Sequence, residues 1–479
     1  MLTLQDILQV GATGLLAHKT RMAVVSHNVV NVNTPGYHRQ RAVLETQPPL
    51  YGLDALLNRA TGTGVRVADI LRDYDGLLES VLRGETSTTS YHSRLAQSLG
   101  DLESILAGDG AANLSVCIQQ FWTSWQDLAN NADSMAARQV VIQRAKALAQ
   151  QFNNLHYAVE AYRTGVVTGT GAAATGALAR DVETVNDLAA QIASLNQRIF
   201  LMAARGNNIN DLQDKRDTLI MQLCEKANVQ VTYEDDKTCT IRLDGQDLVA
   251  GSTANALTIT GDDPVELTLN GVVVAPTGGT LAAWAETVST AGRLLDDINT
   301  LAEAFIDQVN ALHLAGYDLY GLNAGADYVP EHAFFTGLDA ADIAVNPDIA
   351  ADPAYIAAAA TRHSAGPPPV ANAGDGAQAL AIADLCTTRL AALNNQTCGD
   401  FFAGILTTLG ARVESETSLA ENGEAVKASI NASLLGSSGV NLDEEMVEML
   451  SAQRAFQAAA KIVATADSML DTVINHMAV

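Results

Sequence analysis

The residue types that most often carry chemistry are present in this 479-residue chain, but not at the spacings chemistry needs. A zinc hydrolase would show His-Glu-x-x-His on one helix face, and a serine hydrolase Gly-x-Ser-x-Gly. A phosphate-cradling loop would show Gly-x-x-x-x-Gly-Lys followed by Ser or Thr. None of the three occurs. Gly169–Gly176 reads GTGAAATG, with two glycines at dinucleotide spacing, but the third is misplaced and no apolar strand leads in. Asp318, Asn323 and Asp327 offer oxygen ligands within one loop, without the 1-3-5 rhythm or closing Glu of an EF hand. The nine histidines are scattered, and none has a Cys or Asp at helical ligand spacing. Asp262-Asp263 and Glu444-Glu445 fall in a turn and at a helix start, where solvation and capping account for them. Cys117, Cys224, Cys239, Cys386 and Cys398 form no Cys-x-x-Cys pair and read as isolated thiols. The pattern points to interaction, not reaction, with no metal and no cofactor.

Composition narrows the class further. A formal charge of −26 argues against nucleic acid or an anionic membrane as partner, because phosphate contacts need clustered Lys and Arg. The first residues, MLTLQDILQVGATGLLAHK, lack the basic start and unbroken apolar run of a cleavable export signal. The uncharged window Leu267–Ala285 holds Asn, Thr, Pro and several Gly, so it does not read as a membrane span.

The elements that would position an interaction surface are mostly helical. Leu4, Leu8, Leu15, Met22, Val25 and Val29 recur in alternating threes and fours, interrupted by Gly11 and His18. Met449, Phe456, Val463, Leu470 and Val473 do the same near the other end, with alanines between. Such spacing predicts two helices that each bury a seam, and each is the simplest partner for the other. Asn441 is placed to cap the second helix, with Glu444 three residues on. Between them, helices are expected at about 77–107, 114–131, 134–164, 177–205, 211–227, 281–315, from 378, and 400–435. The glycine- and alanine-rich stretch 164–179 reads as a flexible joint. Val229–Ala275 alternates around Asp244-Gly245 and Asn270-Gly271, which predicts antiparallel hairpins.

These readings give a mainly α, discontinuous multidomain chain. Residues 1–34 and 440–479 would form a terminal coiled coil, and 35–228, 278–320 and 377–439 a helical domain. Residues 229–277 would be an inserted small antiparallel β domain, and 321–376 an irregular proline-rich insertion.

One stretch remains unexplained by composition or periodicity: NVVNVNTPGYHRQ, residues 28–40. It closely resembles the N-terminal signature of bacterial flagellar axial proteins, the rod, hook and hook-associated class. The matching residues are Asn28, Asn31, Asn33, Thr34, Pro35, Gly36, Tyr37, Arg39 and Gln40; His38 stands where the class is expected to carry serine. VNDLAAQIASLNQRI, NINDLQDKRDTLIMQL and AFIDQVNALHLAGYDLYG are similar to the central segments of the hook-associated protein 1 family. SGVNLDEEMVEMLSAQRAFQAAAKIVATADSMLDTVI resembles its C-terminus. That resemblance implies a non-catalytic structural protein at the hook–filament junction. It also implies export without a cleaved signal through the flagellar type III apparatus, with an export chaperone. Partners would be further copies of the chain, the hook protein and a second junction protein, hook-associated protein 3. A hook or distal-rod protein is the alternative within the class.

Overall fold

The computed structural model describes residues 4–48, 62–108, 113–364, 369–472 and 474. In chain order, α1 (Leu4–Asn31) leads into a hairpin of β1 (Gln40–Thr46) and β2 (Val65–Arg72). Then come α2 (Gly76–Ala107), α3 (Leu114–Asn130), α4 (Met135–Val166), α5 (Ala177–Ala203) and α6 (Asn210–Lys226). A four-stranded antiparallel sheet follows, of β3 (Val229–Tyr233), β4 (Cys239–Leu243), β5 (Gln246–Ala250) and β6 (Thr253–Ala254). A three-stranded sheet holds β7 (Leu257–Asp262), β8 (Val265–Leu269) and β9 (Val272–Val274). Next are α7 (Gly279–Ala315), the pair β10 (Phe335–Thr336) and β11 (Ala344–Val345), and α8 (Pro347–Ala351). The pair β12 (Arg362–Ser364) and β13 (Val370–Ala371) precedes α9 (Ala377–Ala383), α10 (Cys398–Ser438) and α11 (Leu442–Asp471). The fold is mainly α with small antiparallel sheets.

Local chemistry explains many of the boundaries. Asn113, Ser134 and Asn441 cap α3, α4 and α11 by accepting a hydrogen bond from a first-turn backbone N–H. Asp244-Gly245 and Asn270-Gly271 have positive φ at both residues, as a tight hairpin turn requires, and join β4 to β5 and β8 to β9.

The chain divides into two compact units. One comprises Met1–Thr88, Thr184–Leu257 and Asn422–Val479; the other comprises Thr89–Glu183 and Thr258–Glu421. The second unit has one continuous apolar core drawn from α3, α4, α7, α9 and the parts of α2 and α10 within it. Phe121 lies at its centre, with Trp122, Trp125, Phe305, Phe334 and Phe335 around it. Trp122 and Phe305 stack at 4.8 Å between centroids. In the first unit, buried Asn196 of α5 donates to the carbonyls of Cys239 and Gly251 and accepts from Arg216 of α6, tying two helices to the sheet.

Two features differ from the sequence expectation and a third adds to it. Gln40–Thr46 and Val65–Arg72, which fall in the stretch expected to belong to the helical domain, form the β1–β2 hairpin, whose strands pair over seven residues with a bulge at Val43/Leu44. In the stretch 164–179, the residues between α4 and α5 (167–176) form a closed turn, not a flexible joint. Thr168 and Thr175 bridge each other around a 3-10 turn at Gly171–Ala173, and the Gly169 N–H donates to Asp262 at 2.8 Å. Residues 321–376, where described, are anchored in the core. Phe334, Phe335, Ile343, Ile349 and Ile356 are buried, and Arg138 donates to the Ile356 carbonyl at 2.6 Å.

Phe305→Ala removes the ring on which Trp122 stacks and leaves a cavity, so it is expected to cost about 3–5 kcal/mol. Thermal unfolding followed by tryptophan fluorescence should show the lowered midpoint; an unchanged midpoint would mean the aromatic cluster is not the stabilising centre.

Candidate functional site

The site lies within the first unit, where α1 ends and the chain turns into β1. Residues 28–40 are held there by the very segment that sequence analysis singled out separately, NINDLQDKRD of α6.

Asn28 is almost fully buried and uses its whole side-chain amide. Its Nδ2 donates to the Gln40 carbonyl at 2.8 Å and to Glu445 Oε2 at 2.9 Å. Its Oδ1 accepts from the Tyr37 hydroxyl at 2.7 Å and the Gln40 N–H at 3.0 Å. One side chain thus joins α1, β1 and α11. Asn31 Oδ1 accepts from the Thr34 hydroxyl, and the Thr34 N–H donates to the Asn31 carbonyl, so the helix stops in a tight turn. Gly36 has φ +74°, and a Cβ there would lie 2.5 Å from Thr218 Oγ1 on α6. Only glycine satisfies both conditions. Asn33 and Pro35 are exposed in that turn.

Beyond the turn the residues alternate between two acidic surfaces. Arg39 Nε donates to Glu445 Oε1 at 2.7 Å, and Glu444 stands 3.6 Å from the same guanidinium. Glu444 therefore faces Arg39, while Asn441 caps α11 through the Asp443 N–H. Gln40 Nε2 donates to Asp211 at 2.9 Å. His38 is buried, with Nδ1 2.8 Å from Asp214 and Nε2 3.4 Å from Glu79 of α2. Arg72, at the end of β2, bridges Asp214 and Asp217 at 2.8 and 2.7 Å and lies over the Tyr74 ring. Burial would lower the His38 pKa, but the bonds to Asp214 and Glu79 outweigh it and raise it to about 9. His38 is thus a buried cation among Glu79, Asp214 and Asp217, with Arg72 as its fellow cation. Burial and the charges of Asp211, Asp214 and Glu445 together hold the Tyr37 hydroxyl protonated.

The terminal seams also meet. α1 and α11 run antiparallel: Gly14 faces Ala459, Gly11 faces Val463, and Arg21 pairs with Glu448. Val25 is buried, while Leu4, Leu8, Leu15, Met22, Val29, Met449, Phe456, Val463 and Leu470 are half-buried. Val473 lies outside the described residues. Most of the buried positions of the pair are small residues that a search for large apolar ones passes over: Gly11, Gly14 and Ala17 on α1, and Ala452, Ala459 and Ala466 on α11. Gly11 does not interrupt the seam. Its missing Cβ makes room for Val463, whose Cγ2 would lie 2.7 Å from a Cβ there.

Sequence reasoning missed Arg72, Glu79, Asp214, Asp217 and Glu445 as partners of the turn. The available signal was the three-residue spacing of Asp211, Asp214 and Asp217, which puts three carboxylates on one face of α6. Among the described residues no cluster of His, Cys, Asp and Glu could hold a metal ion, and all five cysteines are free thiols.

The family described as flagellar hook-associated protein FlgK helical domain matches residues 99–328. Flagella basal body rod protein matches 8–38, and the C-terminal family of the basal body rod FlgEFG proteins matches 433–476. Flagellar hook-associated protein 1 of Bacillus subtilis is 27% identical over 519 residues, spanning 98% of both chains. The chain belongs to the flagellar hook-associated protein 1 family. The Salmonella typhimurium member is 31% identical over 334 residues, 66% of this chain, and the match spans 58% of that relative's length. The flagellar hook junction protein FlgK from Burkholderia pseudomallei shares the fold, with a TM-score of 0.61 at 17% identity. That match covers 75% of this chain and all of the other.

The raised pKa of His38 sets a pH dependence. Its contribution to stability is complete below about 6.5, the unfolded value, and is lost as pH rises through about 9. The advantage of the native chain over His38→Gln should therefore shrink by on the order of 3 kcal/mol between pH 6 and pH 10. Paired thermal melts across that range would reject this if the difference stayed constant.

Proposed function

We propose that this chain is a structural component of the bacterial flagellum that forms a layer at the hook–filament junction and adapts one to the other. The observation that carries the reading is the end-to-end similarity to the hook-associated protein 1 of Bacillus subtilis. The antiparallel pair of α1 and α11 supports the terminal segments 1–34 and 440–479 as the assembly domain, because it keeps exposed apolar residues such as Leu16, Val30, Met446, Val447 and Leu450. In this reading those residues meet further copies of the chain. The hook protein lies on one side of the layer and hook-associated protein 3 on the other. Export runs through the type III apparatus with a chaperone and without signal cleavage, and the protein works outside the cell. Among the described residues no helix is long and apolar enough to cross a membrane. The role needs no catalysis and no cofactor.

A hook or distal-rod protein is the second reading, favoured by the rod-protein matches at residues 8–38 and 433–476. Antibody labelling of isolated flagella separates the two. A single band at the end of the hook is expected, and label along the hook shaft or the rod would favour the alternative.

Charged substitutions at the half-buried seam positions Val463 and Leu470 are expected to leave the Thr89–Glu183/Thr258–Glu421 unit folded and to abolish assembly onto hooks. Cells carrying Val463→Asp with Leu470→Asp should shed filament protein into the medium. Normal filaments on those cells would sink the reading.

A further inference from the structure

The apolar seam between α1 and α11 repeats and so does not by itself fix one register. Ala452, Ala459 and Ala466 recur every seven residues, so the packing repeats after one heptad. If the first two turns of α11 unwound and the rest advanced by seven residues, a shift of about 10 Å, Ala466 would replace Ala459 opposite Gly14. Leu470 would replace Val463 at Gly11, and Ala452 would replace Glu445 opposite Asn28. Small residues would again meet small residues along the seam.

Polar contacts distinguish the two registers. Glu445 is 1% exposed, and its two oxygens are taken by Asn28 Nδ2 and Arg39 Nε. In the shifted register Asn28 would turn its amide toward an alanine methyl, and Arg39 would lose its buried carboxylate. An unsatisfied buried polar group costs about 1–3 kcal/mol, more when charged. Arg21–Glu448 adds to the same choice, but both side chains are partly exposed and can follow solvent. We propose that the contact of Glu445 with Asn28 and Arg39 sets the register of the terminal helix pair. Glu445 acts here as a buried polar group that specifies one alignment, and its replacement by a small apolar residue leaves a seam that tolerates two.

Disulfide trapping in the full chain reads the register directly and does not depend on any flagellar role. A Cβ on Gly14 would lie 3.4 Å from the Ala459 Cβ, close to the span a disulfide takes, so Gly14→Cys with Ala459→Cys reports the native alignment. Gly14→Cys with Ala466→Cys reports the shifted one. With Glu445 present, the first pair should cross-link within one chain and the second should not, as identified by mass spectrometry of tryptic peptides. In a Glu445→Ala background the second pair should cross-link at a tenth or more of the yield of the first. Glu445→Gln keeps one of the two acceptor oxygens and turns an N–H toward the other donor, so it should shift less than Glu445→Ala. The proposal is overturned if Glu445→Ala forms only the native cross-link. It is equally overturned if the native pair fails to cross-link with Glu445 in place, or if Glu445→Gln shifts as far as Glu445→Ala.

Discussion

A carboxylate almost wholly withdrawn from water must be met by donors, and Glu445 draws its donors from residues more than 400 positions earlier in the chain. That requirement organises the first unit. It brings α11 back to the end of α1 and fixes Arg39 between two elements. Through Asn28 it also ties the turn of the axial motif to the strand that follows. The seam of glycines and alanines allows the helices to approach closely but does not itself say where along their length they should stop.

The same logic extends outward through charge. Asp211, Asp214 and Asp217 form a row on α6 that Gln40, His38 and Arg72 satisfy one after another. Two motifs that look independent along the chain, one near residue 35 and one near residue 213, are therefore two halves of one contact. The turn is held in place by polar pairing more than by apolar burial. It can thus leave the end of a helix at a defined angle without a large local core.

Much of this was legible in the residues. Helix positions followed from apolar spacing, and the hairpin turns from Asp244-Gly245 and Asn270-Gly271, because both signals are local. The terminal pairing followed from two matched stripes. The β1–β2 hairpin did not, since its strands are half-buried and carry little alternation. The closed turn at 167–176 was hidden because glycine-rich sequence looks the same whether it is loose or pinned by a distant acceptor such as Asp262. Most of all, His38 and its partners lie on three separate segments. No spacing rule links Glu79, Asp214 and residue 38, and only the folded chain places them side by side.

The position of Glu445 in the chain has a kinetic meaning. A ribosome delivers Asn28 and Arg39 more than 400 residues before their carboxylate. Contacts of such high sequence separation form late, because the intervening chain must be closed into a loop before they can be made. The helix that carries Asn28 is therefore made long before the contact that finishes it. A chain truncated before residue 445 carries an α1 that cannot complete its own turn, so the state of that turn reports whether the later helix has arrived.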